Sequence, residues 1–263
     1  MTLRYSCLLS FCAFQLCAAA APEGEPDVKE IIAKSVEANQ RDFKAAPDFN
    51  WKERDRTPSG GSKTYQVEMI DGSPYYRLIM LNGKPLSPAQ EAQEKRKEQQ
   101  ARQQRKSESP AQRKQRIAKF ERERQRDNTM MNQLTNAFDF KFVGERNLDK
   151  FNVYVLKATP RQGYTPPNLH ARVLTGMEGE LWIDRKTYQW VKVTAEVIHP
   201  VSIEGFLAKV EPGTQFELEK APVGDGSVWL AAHFAMRANA RVLGMFNHNS
   251  QEDDTFWDYT PVK

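Results

Sequence analysis

Four histidines and one acidic run are the residues whose types could support catalysis or metal binding. His170, His199, His233 and His248 are scattered, and none has a histidine or acidic partner at the spacing that metal ligands use. The run Glu252-Asp253-Asp254 offers carboxylates but lacks the spaced oxygen ligands of a dedicated calcium loop. We therefore predict no metal site and no cofactor.

Motifs for enzymatic chemistry are also absent from the sequence. It contains no Gly-x-Ser-x-Gly elbow, no phosphate-binding P-loop, no dinucleotide-binding glycine pattern and no His-Glu-x-x-His. The three cysteines, Cys7, Cys12 and Cys17, all lie near the N-terminus, which excludes disulfides and thiol catalysis from the rest of the chain. A hydrolytic Asp and His brought together by folding stays open. The prediction is that the protein is not an enzyme.

Residues 1–21 have the pattern of a signal peptide. Arg4 supplies a positive charge, Leu8–Leu16 an apolar core and Ala18-Ala19-Ala20 a small-residue cleavage site. The alternative, an uncleaved anchor, is disfavoured because the apolar core is shorter than the roughly 20 residues that span a bilayer. We expect export to the periplasm, with secretion as the alternative, and a single domain over residues 22–263.

A basic, strongly polar segment runs from about residue 87 to 127. Ser87-Pro88 is typical of a helix start, and Ser107–Pro110 predicts a break between two charged helices. Such helices are polar all round and should stay solvated. Nucleic-acid binding is not expected, because acids are mixed in and aromatic residues for base stacking are nearly missing there. A docking arm for anionic lipid head groups or an envelope protein is the alternative.

The rest of the chain reads as one amphipathic helix followed by strands. Asp27 is a predicted helix cap, and apolar residues recur at helical spacing to about Lys44. Strand patterns then recur about every ten residues, which favours an antiparallel meander. The predicted fold class is mainly β (α+β): a single curved antiparallel sheet or unclosed β-barrel, with the N-terminal helix as a lid and the charged helices as an insertion.

The clearest β-hairpin is predicted between Gly179 and Ile198. An apolar strand ends at Asp184, a turn follows, and the second strand alternates strictly from Tyr188 onwards. The alternation predicts that Trp190 and Val193 point to opposite faces of the sheet.

Aromatic and methionine side chains are numerous in the predicted strands, whereas few helices are available to cover them. The simplest interpretation is a packed core, but apolar strand surface in excess of helical cover also favours a sheet that holds an apolar ligand. The candidate lining residues are Trp51, Met69, Tyr76, Met80, Phe140, Trp182, Trp190, Val193, Phe216, Trp229, Phe234 and Met236.

Two short motifs resemble a known family. Residues 179–187 read G-x-L-W-I-D-x-x-T and residues 222–230 read P-V-G-D-G-x-x-W-L. With the surrounding strands, over about residues 175–262, the sequence resembles the outer-membrane lipoprotein-sorting, lipoprotein-carrier-like group with a LolA/LolB-type half-barrel. The resemblance implies an unclosed barrel with helices over an apolar cavity, and non-catalytic shuttling or sensing of acyl chains. The segment at about 87–127 departs from the group.

From these observations we predict non-catalytic binding or transport of lipid or acyl chains in the periplasm. The predicted partners are lipid or lipoprotein acyl chains, and an anionic membrane surface or an envelope protein contacted through residues 87–127. No nucleic-acid partner is expected, and the chain is expected to be a monomer. The alternative is a cell-envelope sensor or interaction module that uses the same fold, with the basic helices as docking arm.

Overall fold

The computed structural model describes residues 26–56, 58, 60–203, 208–242 and 246–262. The predicted signal peptide at residues 1–21 lies outside these described residues. None of the described helices is long and apolar enough to pass through a bilayer.

The described residues form thirteen strands in one antiparallel sheet. The strands are β1 Phe49–Arg56, β2 Ser62–Ile70, β3 Ser73–Leu81, β4 Lys84–Pro85, β5 Phe138–Leu148, β6 Phe151–Pro160, β7 Met177–Asp184, β8 Trp190–Val197, β9 Val201–Ser202, β10 Ala208–Val210, β11 Gln215–Val223, β12 Val228–Val242 and β13 Phe246–Pro261. Their spatial order is β4-β3-β2-β1-β13-β12-β11-β8-β7-β6-β5; β10 pairs with β12, and β9 pairs with β10. The sheet does not close, so the predicted fold class, an unclosed half-barrel with helices, is confirmed.

The described residues contain three α-helices beside the sheet, and the first begins at the cap that the sequence predicts. Helix α1 is Val28–Ala45, and the Asp27 carboxylate accepts hydrogen bonds from two of its first backbone N–H groups. Helices α2, Pro88–Lys106, and α3, Pro110–Ala137, begin at capping boxes on Ser87 and Ser109. The two charged helices and the break before Pro110 are therefore as predicted.

Helix α1 covers one face of the sheet, which we call the inner face. Its buried Ile31 and Ile32 pack with Leu156, Leu181 and Ile183 of β6 and β7. The same core continues to the 3-10 helix at residues 170–176 and to the first residues of β5. The opposite, outer face carries a smaller cluster around Val155, Val191 and Trp182.

The hairpin motif at residues 179–187 has a physical explanation in the structure. A side chain at Gly179 would place its Cβ 2.1 Å from the Thr194 carbonyl oxygen of the neighbouring strand, so only glycine fits there. At the turn, Asp184 Oδ2 accepts hydrogen bonds from the Thr187 backbone N–H and hydroxyl at 2.8 and 2.7 Å. The motif therefore encodes the close approach of two strands and the turn between them.

The predicted alternation of the second hairpin strand is wrong at its start. A β-bulge changes the register, so that Trp182 pairs with Lys192 while Ile183 pairs with Trp190. The extra residue, Val191, packs on the outer face with Trp229, whereas Trp190 joins the inner core together with Val193. Trp190 and Val193 thus share a face, because a one-residue bulge inverts every side chain beyond it.

The C-terminal strands are longer than the sequence patterns predict, since those patterns give strands at Val228–Ala238, Ala240–Phe246 and Thr255–Val262. Strand β12 continues without a break through residue 242, and β13 begins at Phe246 rather than near Thr255. Glu252, Asp253 and Asp254 therefore lie within a strand and point alternately to opposite faces. They cannot converge on one calcium ion in this conformation.

Candidate ligand-binding cavity

A cavity of about 810 Å³ lies between the inner face and the helices α1 and α3. Its floor consists of β1, β3, β8, β11, β12 and β13, which are drawn together by the strand order of the half-barrel. Val36 and Phe43 of α1 form part of its roof, and Arg124 and Asn132 of α3 another part. Its size falls in the range of small-molecule sites, about 300–1,000 Å³.

Aromatic side chains form much of the cavity floor. Trp51 stacks on Tyr259 with 6.4 Å between ring centroids and meets Tyr76 edge-on at 6.4 Å. Phe234 and Phe256 continue the apolar surface along β12 and β13. Tyr76 is 46% exposed, because part of its ring faces this open space.

The structure places eleven of the twelve predicted lining residues in three groups. Trp51, Tyr76, Trp190 and Phe234 line the cavity, and Trp229 borders it while its ring packs in the outer-face cluster with Val191. Phe140, Val193 and Phe216 pack on the inner core instead. Met69, Met80 and Met236 lie in strands but not among the cavity's described lining residues.

One predicted lining residue, Trp182, faces away from the cavity. It packs on the outer face with Val155 and Val191, and its Nε1 donates to Glu180 at 3.2 Å. The placement follows from strand alternation, because the neighbours Leu181 and Ile183 both point into the inner core. An aromatic run does not reveal which member faces a ligand.

A buried ion pair fixes α1 to the floor of the cavity. Lys220 Nζ of β11 donates to Asp42 Oδ2 and to Asn39 Oδ1, both at 2.7 Å. Asp42 Oδ1 also accepts from the Trp229 backbone N–H at 3.0 Å and from Gln189 Nε2 at 3.1 Å. The Asp42 side chain is 4% exposed and that of Lys220 is 9% exposed, and burial lowers the pKa of Lys220. Sequence patterns gave no sign of this pair.

Four carboxylates form a second polar group on the inner face: Glu53 and Asp55 of β1, and Glu252 and Asp254 of β13. We call them the inner-face carboxylates. Asp55 and Asp254 are direct cross-strand partners, and Glu53, Glu252 and Asp254 line the cavity. Burial, together with repulsion from Asp55, raises the pKa of Glu53 to about 7. Burial, together with a hydrogen bond to Glu252 and repulsion from it, raises the pKa of Asp254 to about 7. The sequence could not predict this group, because β1 and β13 come from opposite ends of the chain.

Helix α3 runs from the β2–β3 turn, over the cavity, to β5. Near its start, Ile117 contacts Gly72 of that turn, and its last residue leads directly into β5. In the middle, the Arg124 guanidinium donates to the Phe43 carbonyl oxygen and lies 4.3 Å from the centre of the Phe43 ring. The segment that departs from the resembled family therefore supplies part of the cavity's roof.

Helix α2 is held on the outer side of β3 by arginine side chains. Arg105 donates to the carbonyl oxygens of Ile70, Ser73 and Pro74 at 2.7, 2.9 and 3.0 Å. Arg77 of β3 pairs with Glu98 of α2 at 3.0 Å. No described residue of α2 is buried, which agrees with the predicted solvated helix, but one side of α2 is docked through charge-assisted hydrogen bonds.

A second groove, of about 560 Å³, lies on the outer face, across β7, β8, β11, β12 and β13. Two of its carboxylates have basic partners beside the groove: Glu217 contacts Lys192 at 2.9 Å, and Asp253 contacts His233 at 3.3 Å. Among the described residues, no three His, Asp or Glu side chains form a group that could hold a metal ion.

Comparison with known proteins gives low sequence identity throughout. No family model matches the sequence, and no curated protein matches it. Among solved structures, a LolA superfamily protein from Nitrosomonas europaea is 11% identical, with a TM-score of 0.32 over 89% of this chain and 93% of the other. A putative outer membrane lipoprotein-sorting domain from Vibrio parahaemolyticus is 12% identical, with a TM-score of 0.31 over 88% and 93%. A Pseudomonas aeruginosa MucA/MucB complex matches with 10% identity and a TM-score of 0.22 over 87% and 99%. The similar structures thus include the group that the two sequence motifs resemble.

Proposed function

We propose that this protein binds a long acyl chain in the cavity beneath α1 and α3, and carries it without chemical change. The observation that supports the proposal is the cavity itself: about 810 Å³ between helices and an aromatic floor. Burying an acyl chain against such a surface gains about 25 cal/mol for each Å² of apolar area removed from water.

The side chains that line the cavity favour binding of the acyl chain without catalysis. Lys220, the lysine of the described lining, is already bonded to Asp42 and Asn39, and desolvation lowers its pKa. His233 lies on the outer face, paired with Asp253, so it does not reach the cavity. We further propose that the protein works in the periplasm, on the signal-peptide pattern of residues 1–21.

Two alanines of β12 provide a matched test of the cavity. Ala231 lines the cavity, whereas Ala235 lies on the opposite face beside the outer groove. Ala231→Trp should fill the space and weaken binding of a fluorescent acyl probe by about tenfold or more, since tenfold corresponds to about 1.4 kcal/mol. Ala235→Trp should leave probe binding near the wild-type value.

The measurement is a probe titration with the purified protein and both variants, each checked for folding by circular dichroism. Native mass spectrometry of protein purified from its own cells should also show a bound amphiphile. Equal loss in both folded variants, or no probe binding by the wild type, would contradict the proposal.

A further inference from the structure

Carboxylates on the two faces of the sheet differ in their partners. On the outer face, Glu217 and Glu219 contact Lys192, and Asp253 contacts His233 and Arg56. The inner-face carboxylates, Glu53, Asp55, Glu252 and Asp254, form no ion pair within the described part of the chain. Like charges that face each other across strands destabilise a sheet, so this arrangement costs free energy in the unliganded protein.

The inner-face carboxylates are also poorly satisfied by neutral groups. Asp254 is only 8% exposed, and Asp55 Oδ1 is buried with no hydrogen-bond partner in the described structure. Glu53 accepts one bond, from Trp51 Nε1 at 2.9 Å. Buried carboxylate oxygens without partners are expensive, and a cation in the cavity would supply the missing donors.

The basic residues around the cavity do not form ion pairs with the inner-face carboxylates in the described structure. Lys220 is bonded to Asp42, and Arg124 of α3 is held by Glu121 and the Phe43 carbonyl oxygen. Arg126 of α3 also lines the cavity, with an exposed side chain, and it is not among the charges that act on Glu53 or Asp254. Glu123 of the same helix adds a further negative charge near Tyr76. The field of the described residues next to Glu53 and Asp254 is therefore predominantly negative.

Aromatic rings stand directly beside these carboxylates. Trp51 is two residues from Glu53 on the same strand face, and Phe256 is the cross-strand partner of Glu53. The Tyr76 ring meets Trp51 edge-on. Aromatic faces next to carboxylates favour an organic ammonium group, which gains cation–π attraction in addition to charge-assisted hydrogen bonds.

We propose that the inner-face carboxylates bind the ammonium group of a cationic amphiphile whose hydrocarbon chain occupies the cavity. The inference rests on the proposed function, since the chain must enter the same space. Binding an ammonium group would neutralise part of the carboxylate cluster and remove its mutual repulsion. The ligand class is therefore a long-chain primary amine or an amine-bearing lipid.

The test compares three probes of equal chain length: an alkylammonium, an alkanol and an alkanoate, each below its micelle concentration, at pH 8. Intrinsic tryptophan fluorescence reports binding because Trp51 and Trp190 line the cavity. We expect the alkylammonium to bind at least about tenfold more tightly than the alkanol, since a hydrogen bond to a charged group contributes about 1.5–3 kcal/mol. The alkanoate should bind most weakly.

The variants are the double substitution Glu53→Gln with Asp254→Asn, and the control Asp253→Asn on the outer face. The double variant should lose the ammonium preference and keep alkanol binding, while the control should keep both. Alkanol binding without an ammonium preference would overturn this inference and leave the proposed function standing. Failure of all three probes to bind the wild type would overturn both.

Discussion

Asp42 connects α1 to the sheet through three hydrogen bonds. Its two oxygens accept from the Lys220 ammonium, the Trp229 backbone N–H and the Gln189 amide. A buried ion pair seldom stabilises a protein relative to apolar residues, but removing one partner leaves a buried charge alone. At the scale of single residues, the position of α1 over the cavity depends on this pair.

Asp42→Asn keeps an acceptor for the Trp229 N–H but leaves Lys220 without its counter-charge. We expect the free energy of unfolding to fall by about 3–5 kcal/mol. The control is Glu37→Gln, which breaks the exposed Arg41–Glu37 pair and should cost no more than about 0.5 kcal/mol. Urea unfolding followed by circular dichroism measures the free energy of unfolding of both variants. Equally small losses in the two would show that the buried Asp42–Lys220 pair contributes no more to stability than the exposed pair.

At the scale of elements, α2 and α3 show how strongly charged helices can be part of a fold. Neither has a continuous apolar face, so hydrophobic burial holds only the last turn of α3, through Leu134 and Ala137. Arginine side chains bond backbone carbonyls instead: Arg105 at the β2–β3 turn and Arg124 on α1. Such contacts are few and partly solvated, so α3 should be the easiest part of the cavity's roof to open.

Arg124→Ala removes the bond to the Phe43 carbonyl and the stacking on the Phe43 ring. We expect an acyl probe to dissociate several-fold faster, while the free energy of unfolding changes by about 1 kcal/mol or less. Arg122→Ala, on an exposed position of the same helix, is the control and should leave the rate unchanged. Stopped-flow displacement of a bound probe measures the rates; an unchanged rate in Arg124→Ala would contradict the role of α3 as a roof.

At the scale of the whole molecule, the inner-face carboxylates tie global stability to pH. The pKa values of Glu53 and Asp254 are raised to about 7 in the folded state, well above those of an unfolded chain. The folded protein therefore holds more protons than the unfolded chain between about pH 4 and 7. This contribution to stability is fully present below about pH 4 and is lost as pH rises through about 7.

The double variant Glu53→Gln with Asp254→Asn should melt at a higher temperature than the wild type at pH 8, and the difference should shrink at pH 5. Each kcal/mol of relieved repulsion corresponds to about 2–4 °C in Tm for a domain of this size. Thermal melts at the two pH values, with Asp253→Asn as the control, check the expectation. A Tm difference independent of pH would rule out titration of these carboxylates as its cause.

Much of the local structure could be predicted from the sequence because its causes are local. Asp27 and Ser87 specify helix starts through side-chain caps, and the pairs Asp71-Gly72 and Asn82-Gly83 specify tight turns, since all four residues have positive φ. The run Phe49–Arg56 alternates in sequence, which predicts a strand, and strand β1 has the same bounds. The fold class followed from such signals, taken together with the two motifs between residues 179 and 230.

The candidate site depended on tertiary structure. Trp190 faces the cavity because of a bulge opposite Ile183, and no local pattern shows which residue of an alternating strand is the extra one. The Asp42–Lys220 pair joins residues far apart in the chain, and the inner-face carboxylates meet only because β1 pairs with β13. Caps, turns and alternation act within a few residues, so the sequence alone determined the elements and the class of fold. Which strands lie side by side, and which side chains face the cavity, was decided only when the whole sheet packed against its helices, because strand register is set by the burial of an entire face.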